Sequence, residues 1–374
     1  MLPNALYVHS PFCARKCIYC DFNSIVSESK TIDRYLQALE KELSSLRDQY
    51  VFKTVYIGGG TPTVLTETQL EKLLCSVIHY IPTSEIIEYT VEANPGTLTE
   101  SKIGLLQEYL VNRVSLGVQT FQDRQLKFLG RIHLSDDARN AFALLRLAGC
   151  ENINVDLIFG CPEQTLDDWN KDLKAVVELN PEHISTYALT YEEGTSITKD
   201  LNNELVRKLD ECVELEMYKT AISRLTHNSY NHYEISNFAR AGHECLHNHV
   251  YWRNMGYVGV GAGAYSFING VRTSNEKNVF EYINGVNKNK NIKSFSECLH
   301  QDQFASETVI MSLRLRQGIS NIDFYERFGR KIEDQFGYQM NRLIKDGLLS
   351  YEDEKLKLTE KGLYIADTVL AEFI

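Results

Sequence analysis

No run of apolar residues in these 374 positions is long enough to cross a bilayer, so no integral membrane segment is expected. Positive charge is in short supply: 39 Lys and Arg stand against 50 Asp and Glu, a formal net charge of −11. That balance favours solubility and argues against nucleic acid or an anionic lipid surface as a partner. No secretory leader is visible, and nine cysteines spread over 374 residues are unlike a small disulfide-stapled domain. The expected location is therefore the reducing cytoplasm. At this length one large domain with a smaller one beside it is the natural expectation.

What is present is a knot of thiols. The run His9-Ser10-Pro11-Phe12-Cys13-Ala14-Arg15-Lys16-Cys17-Ile18-Tyr19-Cys20 places three cysteines at C-x3-C-x2-C spacing on one short loop. An iron–sulfur cluster usually takes four cysteine ligands, so three leave one iron with an open position for a ligand that must bind and react. A zinc site would want a fourth Cys or His with its own paired spacing, and the next thiol, Cys75, stands alone in a helical pattern. The others, Cys150, Cys161, Cys212, Cys245 and Cys298, are scattered, and with Cys75 they read mostly as ordinary buried thiols.

Short β-rich runs alternate with amphipathic stretches up to about residue 226, the order of successive βα units around a parallel sheet. The spacing predicts strands at Leu6–Val8, Thr54–Ile57, Ile87–Val91, Val114–Val118, Ile153–Ile158 and Ile184–Leu189, and a helix from Ile32 to Leu46. Thr66 and Gln69 offer a capping box for another helix. A closed barrel would need eight units. Six predict an α/β fold of the partial (β/α)6 barrel type, with reactive residues on the loops after the strands' C-terminal ends.

Those ends are polar. After the second strand comes Gly58-Gly59-Gly60-Thr61-Pro62-Thr63, either a plain turn or a place where backbone approaches a ligand with no Cβ in the way. The third strand ends in Glu92 and the fourth in Gln119, and the fifth carries Asp156 between Val155 and Leu157. Charged side chains in apolar strands need partners; a helix cap or a neighbouring side chain would serve, and so would a polar cationic cofactor.

With the aromatic Tyr19 before its third thiol, the cysteine signature resembles the radical SAM superfamily. There the amine and carboxylate of S-adenosylmethionine chelate the open iron of a [4Fe-4S] cluster, and the reduced cluster cleaves the sulfonium to an adenosyl radical. Tyr7-Val8-His9-Ser10-Pro11-Phe12-Cys13, the triple-glycine loop, Ser115-Leu116-Gly117-Val118-Gln119 and Asp156-Leu157-Ile158-Phe159-Gly160-Cys161-Pro162 are similar to the oxygen-independent coproporphyrinogen III oxidase family, over almost the whole chain. The resemblance implies that Cys13, Cys17 and Cys20 hold the cluster. It also implies that Tyr7, Gly59, Gly60, Thr61, Glu92, Gln119, Arg131, Asp156 and Ala188 contact S-adenosylmethionine, the Arg131 guanidinium meeting its carboxylate. A surface salt bridge is the other reading of Arg131. One loop departs from the family: Gly160-Cys161-Pro162-Glu163-Gln164-Thr165 stands where Gly-Leu-Pro-Gly-Gln-Thr is usual, which adds a carboxylate.

Two further departures bear on function. The oxidases resemble C-x3-C-x2-C-x-C, whereas this chain has Phe22 at the fourth cysteine's place, and only twelve residues precede Cys13 where the oxidases carry a long segment. Both features, and the H-N-x-x-Y-W pattern of His247-Asn248-His249-Val250-Tyr251-Trp252, resemble a branch of the family that keeps the radical SAM framework as a heme chaperone. That implies binding of heme and its transfer to an acceptor protein, with His247 or His249 as a candidate axial ligand and Tyr251 and Trp252 as stacking partners. A polar turn followed by core aromatics is the alternative. Tyr233–Phe238 and the glycines of 259–264 are also family-like, the glycines allowing either a close ligand or a tight loop. Anaerobic decarboxylation of coproporphyrinogen III is the rival function, with Phe22 against it, and a radical enzyme on an unrelated substrate is a third reading.

From about Ser306 helices take over, with Phe324–Phe328 and Ile332–Leu343 followed by a short hairpin ending at Leu356-Lys357-Leu358-Thr359. The pattern is winged-helix-like. Glu333 and Asp334 beside Arg342 and Lys345 leave no basic stripe for DNA, so a docking surface or a lid is the expected role. The expected organisation is a barrel over 1–226, a barrel-associated segment over 227–300 and a winged-helix-like domain over 301–374.

Overall fold

The computed structural model describes residues 3–374. Six strands, β1 (Ala5–Ser10), β2 (Thr54–Gly59), β3 (Glu88–Ala93), β4 (Arg113–Gln119), β5 (Ile153–Phe159) and β6 (His183–Ala188), lie side by side in chain order, and each neighbouring pair is parallel. Helices α1 (Ser29–Ser45), α2 (Glu67–Tyr80), α3 (Glu100–Glu108), α4 (Asp123–Leu129), α5 (Ser135–Leu147) and α6 (Leu166–Leu179) occupy the crossovers. Each forms for a local reason. α1 buries Ile32, Tyr35, Leu36, Leu39 and Leu43 on one stripe, and both bonds of the Thr66–Gln69 capping box start α2.

The six strands do not close. After β6 come α7 (Ser196–Asn202), α8 (Glu211–His227) and the short strands β7 (Asn231–His232) and β8 (Asn237–Ala239), the latter antiparallel to β6. Helix α9 (Leu246–Trp252) then leads to β9 (Tyr257–Val260), which lies parallel on the free side of β1. β10 (Tyr265–Ile268), β11 (Val271–Asn275), α10 (Val279–Asn287) and β12 (Lys293–Cys298) follow, and the three strands extend that edge antiparallel. The result is a twelve-stranded sheet with a partial (β/α)6 barrel at its centre.

The C-terminal segment has its own core, running from Ala305 to Phe373. α11 (Gln301–Leu313), β13 (Ile319–Ser320), α12 (Asn321–Phe328), α13 (Ile332–Lys345), β14 (Leu349–Glu352) and β15 (Lys355–Leu358) form three helices on a three-stranded sheet, a winged-helix arrangement, and α14 (Glu360–Leu363) and α15 (Ala366–Ala371) close it. Most of the six scattered cysteines are expected to be buried, but only Cys161 and Cys245 are; Cys75, Cys212 and Cys298 are exposed and Cys150 is half-buried. Cys75 shows why: it lies on α2, whose apolar face is already filled by Leu70, Leu73, Leu74 and Val77.

Candidate functional site

Inside the barrel the strands obey the two-residue period of a pleated sheet. Arg113, Ser115, Gly117 and Gln119 of β4, Asn154, Asp156 and Ile158 of β5, and His183, Ser185 and Tyr187 of β6 all line one cavity of about 400 Å³. The intervening Val114, Leu116, Val155, Leu157 and Ile184 are buried in the hydrophobic core. Cys13, Cys17 and Cys20 line the same cavity, as do Gly59, Gly60, Thr61, Glu92, Arg131 and Ala188. Of the residues expected around S-adenosylmethionine, Tyr7 alone is outside the lining; its hydroxyl donates to His9 Nδ1 at 3.0 Å, beneath Gly59.

The cysteine loop is pinned to its surroundings. The three thiols are free and half-buried. Arg131 Nη1 lies 3.5 Å from Cys17 Sγ and Nη2 donates to the Gly117 carbonyl at 2.7 Å, while Nε is buried without a partner. Cys13 Sγ is 3.7 Å from Thr61 Oγ1. The triple glycine, while lining the cavity, also has a packing use. A Cβ on Gly60 would lie 2.6 Å from the Phe12 carbonyl oxygen, and Gly59, at φ +105°, would drive one into the His9 ring. The Gly60 and Thr61 N–H groups donate to Ser10 and Phe12 carbonyls at 2.8 and 2.7 Å. The absent side chains let this loop seat on the cysteine loop, protein against protein.

Acidic groups cross the cavity. Glu92 accepts from the Tyr56 hydroxyl at 2.8 Å and from the Gly59 N–H at 3.1 Å, and burial pushes its carboxyl up to about 7. Asp156 accepts from Ser115 Oγ at 3.0 Å and Asn154 Nδ2 at 2.8 Å, and burial raises its carboxyl too. Asn154 Oδ1 only accepts, so His183 keeps its proton on Nδ1, 2.6 Å away, and Nε2 accepts from the Tyr233 hydroxyl at 2.8 Å. Gln119 holds a left-handed φ of +71° where the β4–β5 register slips, the kind of backbone strain that gathers at functional sites. A glycine is usual in the family at the position of Glu163, and Glu163 keeps the left-handed turn at φ +59°. Its side chain pairs with Arg124 at 3.2 Å, away from the cavity lining.

The His247–Trp252 segment does not reach the cysteines. It is α9, seated across the foot of the barrel at the strands' N-terminal ends, and of its residues only Asn248 lines the cavity. His247 is fully buried with both ring nitrogens engaged, Nδ1 with Thr54 Oγ1 and Nε2 with the Tyr251 hydroxyl, each at 2.9 Å. His249 pairs through Nε2 with Glu244 at 2.7 Å, its Nδ1 buried and unpartnered. Trp252 lies under the Arg314 guanidinium at 4.5 Å. Downstream, Gly259 serves the tight loop reading: a Cβ there would sit 2.0 Å from the Tyr265 carbonyl oxygen.

Residues 7–176 match the family profile of the radical SAM superfamily and residues 299–365 that of the HemN C-terminal domain. Fold and site define a radical SAM protein, a class that implies a [4Fe-4S] cluster and S-adenosylmethionine. Coproporphyrinogen III oxidase (HemN) from Escherichia coli, a radical SAM enzyme, superposes with a TM-score of 0.86 at 25% identity, over 100% of this chain and 90% of that one. The heme chaperone HemW of Lactococcus lactis is 36% identical over 100% of this chain and 97% of its own length, and that of Bacillus subtilis 37% over 98% of each. The chain belongs to the family of the HemW proteins.

Proposed function

We propose that this chain is a heme chaperone that carries a [4Fe-4S] cluster on Cys13, Cys17 and Cys20, binds S-adenosylmethionine in the barrel cavity and hands heme to an acceptor protein in the cytoplasm. The observation that carries this reading is similarity over almost the whole chain, at 32–37% identity, to proteins named heme chaperone HemW in several bacteria. The donor set fits the cluster and its ligand: three free thiols share one cavity wall. A buried guanidinium with an unpartnered Nε stands beside them for a carboxylate, and Glu92 and Asp156 face the same space for a cation. When bound, the pair supplies one-electron and radical chemistry. The protein's part is to orient the methionine half between Arg131 and the acidic wall, with Gln119 held at the rim by its strained backbone.

The rival is oxidative decarboxylation of coproporphyrinogen III, which the likeness to HemN keeps in view. Phe22, 58% exposed, occupies the place of the oxidases' extra cysteine and speaks against it. The deciding experiment incubates anaerobically reconstituted protein with S-adenosylmethionine, a reductant and coproporphyrinogen III, follows propionate loss by mass, and titrates the same preparation with hemin. The expected result is bound hemin and no decarboxylated product with the cluster intact; product would make the chain an oxidase with a shortened motif.

A further inference from the structure

A cavity larger than the one at the cysteines lies elsewhere. Between β10 with its following turn and the C-terminal domain lies a crevice of about 1040 Å³. Its walls include Phe267 of β10, Phe304 of α11, Phe324 of α12 and Leu315, and the half-buried Met255 just past α9. Thr308, Ser312, Gln317 and charged side chains make up much of the rest, so the wall pairs an apolar stretch with a polar one and suits an amphipathic ligand with an apolar body.

The charge in the crevice is unusual for a chain of net charge −11. Arg253, Arg327 and Lys355 line it against Asp323 and Glu326, a cationic excess of one. Arg327 is the informative group. Its guanidinium lies 4.4 Å over the Phe304 ring, and Nη1 donates to the Arg253 carbonyl at 2.9 Å and Nη2 to the Asn254 carbonyl. Nε is buried without a partner, and no carboxylate pairs with it among the described residues. Burial without a counter-ion lowers it to about 10. An uncompensated cation beside aromatic walls is a place for an anionic edge on a flat apolar body.

We propose that heme docks in this crevice, its ring against Phe267 and Phe304, its carboxylates toward Arg253, Arg327 and Lys355, and its iron on the Met255 thioether. The proposal rests on the heme-chaperone reading above. Thioether sulfur is an established heme ligand, and a single soft ligand suits cargo that must be released. The histidines of α9 are poorer candidates for this crevice, because His247 has no free nitrogen and the free nitrogen of His249, Nδ1, is buried outside the crevice lining.

The test is a hemin titration of the full chain followed at the Soret band, with circular dichroism verifying each fold. Arg253→Glu combined with Lys355→Glu alters two exposed side chains and should raise the hemin Kd about tenfold or more. Met255→Leu, of similar volume, should shift the Soret maximum as well as weaken binding. Wild-type binding that neither variant changes overturns the crevice and leaves the chaperone reading standing, as does loss of the Soret band in His249→Ala alone. A wild-type chain that binds no hemin overturns both.

Discussion

The Glu88 carboxylate and the His247 backbone N–H, 159 positions apart in the chain, meet at 2.9 Å. The second carboxylate oxygen takes the Leu246 N–H at the same distance. Glu88 thus caps the N-terminus of α9, where a negative charge is favoured, and clamps that helix to the foot of β3. Replacing it with Ala leaves buried donors unsatisfied, and the loss expected is about 3 kcal/mol. Urea unfolding would show it as a lower midpoint at unchanged slope; an effect below about 0.5 kcal/mol would mean the clamp carries no stability.

Cys13→Ala, Cys17→Ala and Cys20→Ala should each abolish the visible absorbance of the reconstituted cluster. Gln119→Ala and Asp156→Ala should keep the iron and lose S-adenosylmethionine affinity. Iron analysis beside equilibrium dialysis separates the two groups, and a full cluster in any cysteine variant would sink the ligand assignment.

Glu92 gives the cofactor site a pH dependence. Its carboxyl, pushed up to about 7, is neutral below that pH and cannot attract the cofactor's ammonium group. Affinity for S-adenosylmethionine should therefore rise roughly tenfold between pH 6 and 8. The same shift lowers folding stability as pH rises from the ordinary carboxylate range to about 7, because only the folded state holds the proton there. Glu92→Gln should bind weakly with no slope; a slope that survives would assign the titration elsewhere.

The foot of the barrel responds to acid. Burial, helped by the Arg113 charge, lowers His247 to about 3, and His183 is lowered well below the ordinary range for the same reasons. Both stay neutral when folded, whereas the unfolded chain takes up protons below about pH 6.5. Their contribution is complete above that pH and falls as pH drops, by up to about 1.4 kcal/mol per unit for each histidine. Melting temperature should decline from pH 7 to 5, and His247→Gln should start lower and decline less steeply.

Gly60→Ala tests the seating of the glycine loop. With the Phe12 carbonyl oxygen 2.6 Å from the new Cβ, the backbone must shift, at a cost of about 1–3 kcal/mol. Cluster retention during aerobic dilution should shorten, since the same loop supports Cys13 through Thr61. Wild-type retention would show that the loop gives way freely.

Much of this was legible in the residues. Short β-rich runs, helical spacing and the Thr66–Gln69 capping box placed the six β/α units, because those patterns are local. The strand-end polar residues were found because a charge in an apolar run stands out. Arg113, Ser115, Asn154, His183 and Ser185 escaped notice, although they recur at the same alternate positions as Gln119 and Asp156. Reading the alternation from the strand starts would have exposed them. The placement of His247 was not legible, since Thr54 and Glu88 reach it from strands 193 and 159 residues away. Nor did the glycine run declare that its close neighbour is the Phe12 backbone.

Because α9 lies across the foot of the barrel, Arg113 sits at the covered end of the cavity and Phe22 on the cysteine loop at the other. A small molecule held near Arg113 and Asp156 should then exchange more slowly when a larger one is seated beside Phe22. Equal exchange rates would show a second way out, past the edge where the sheet stays open.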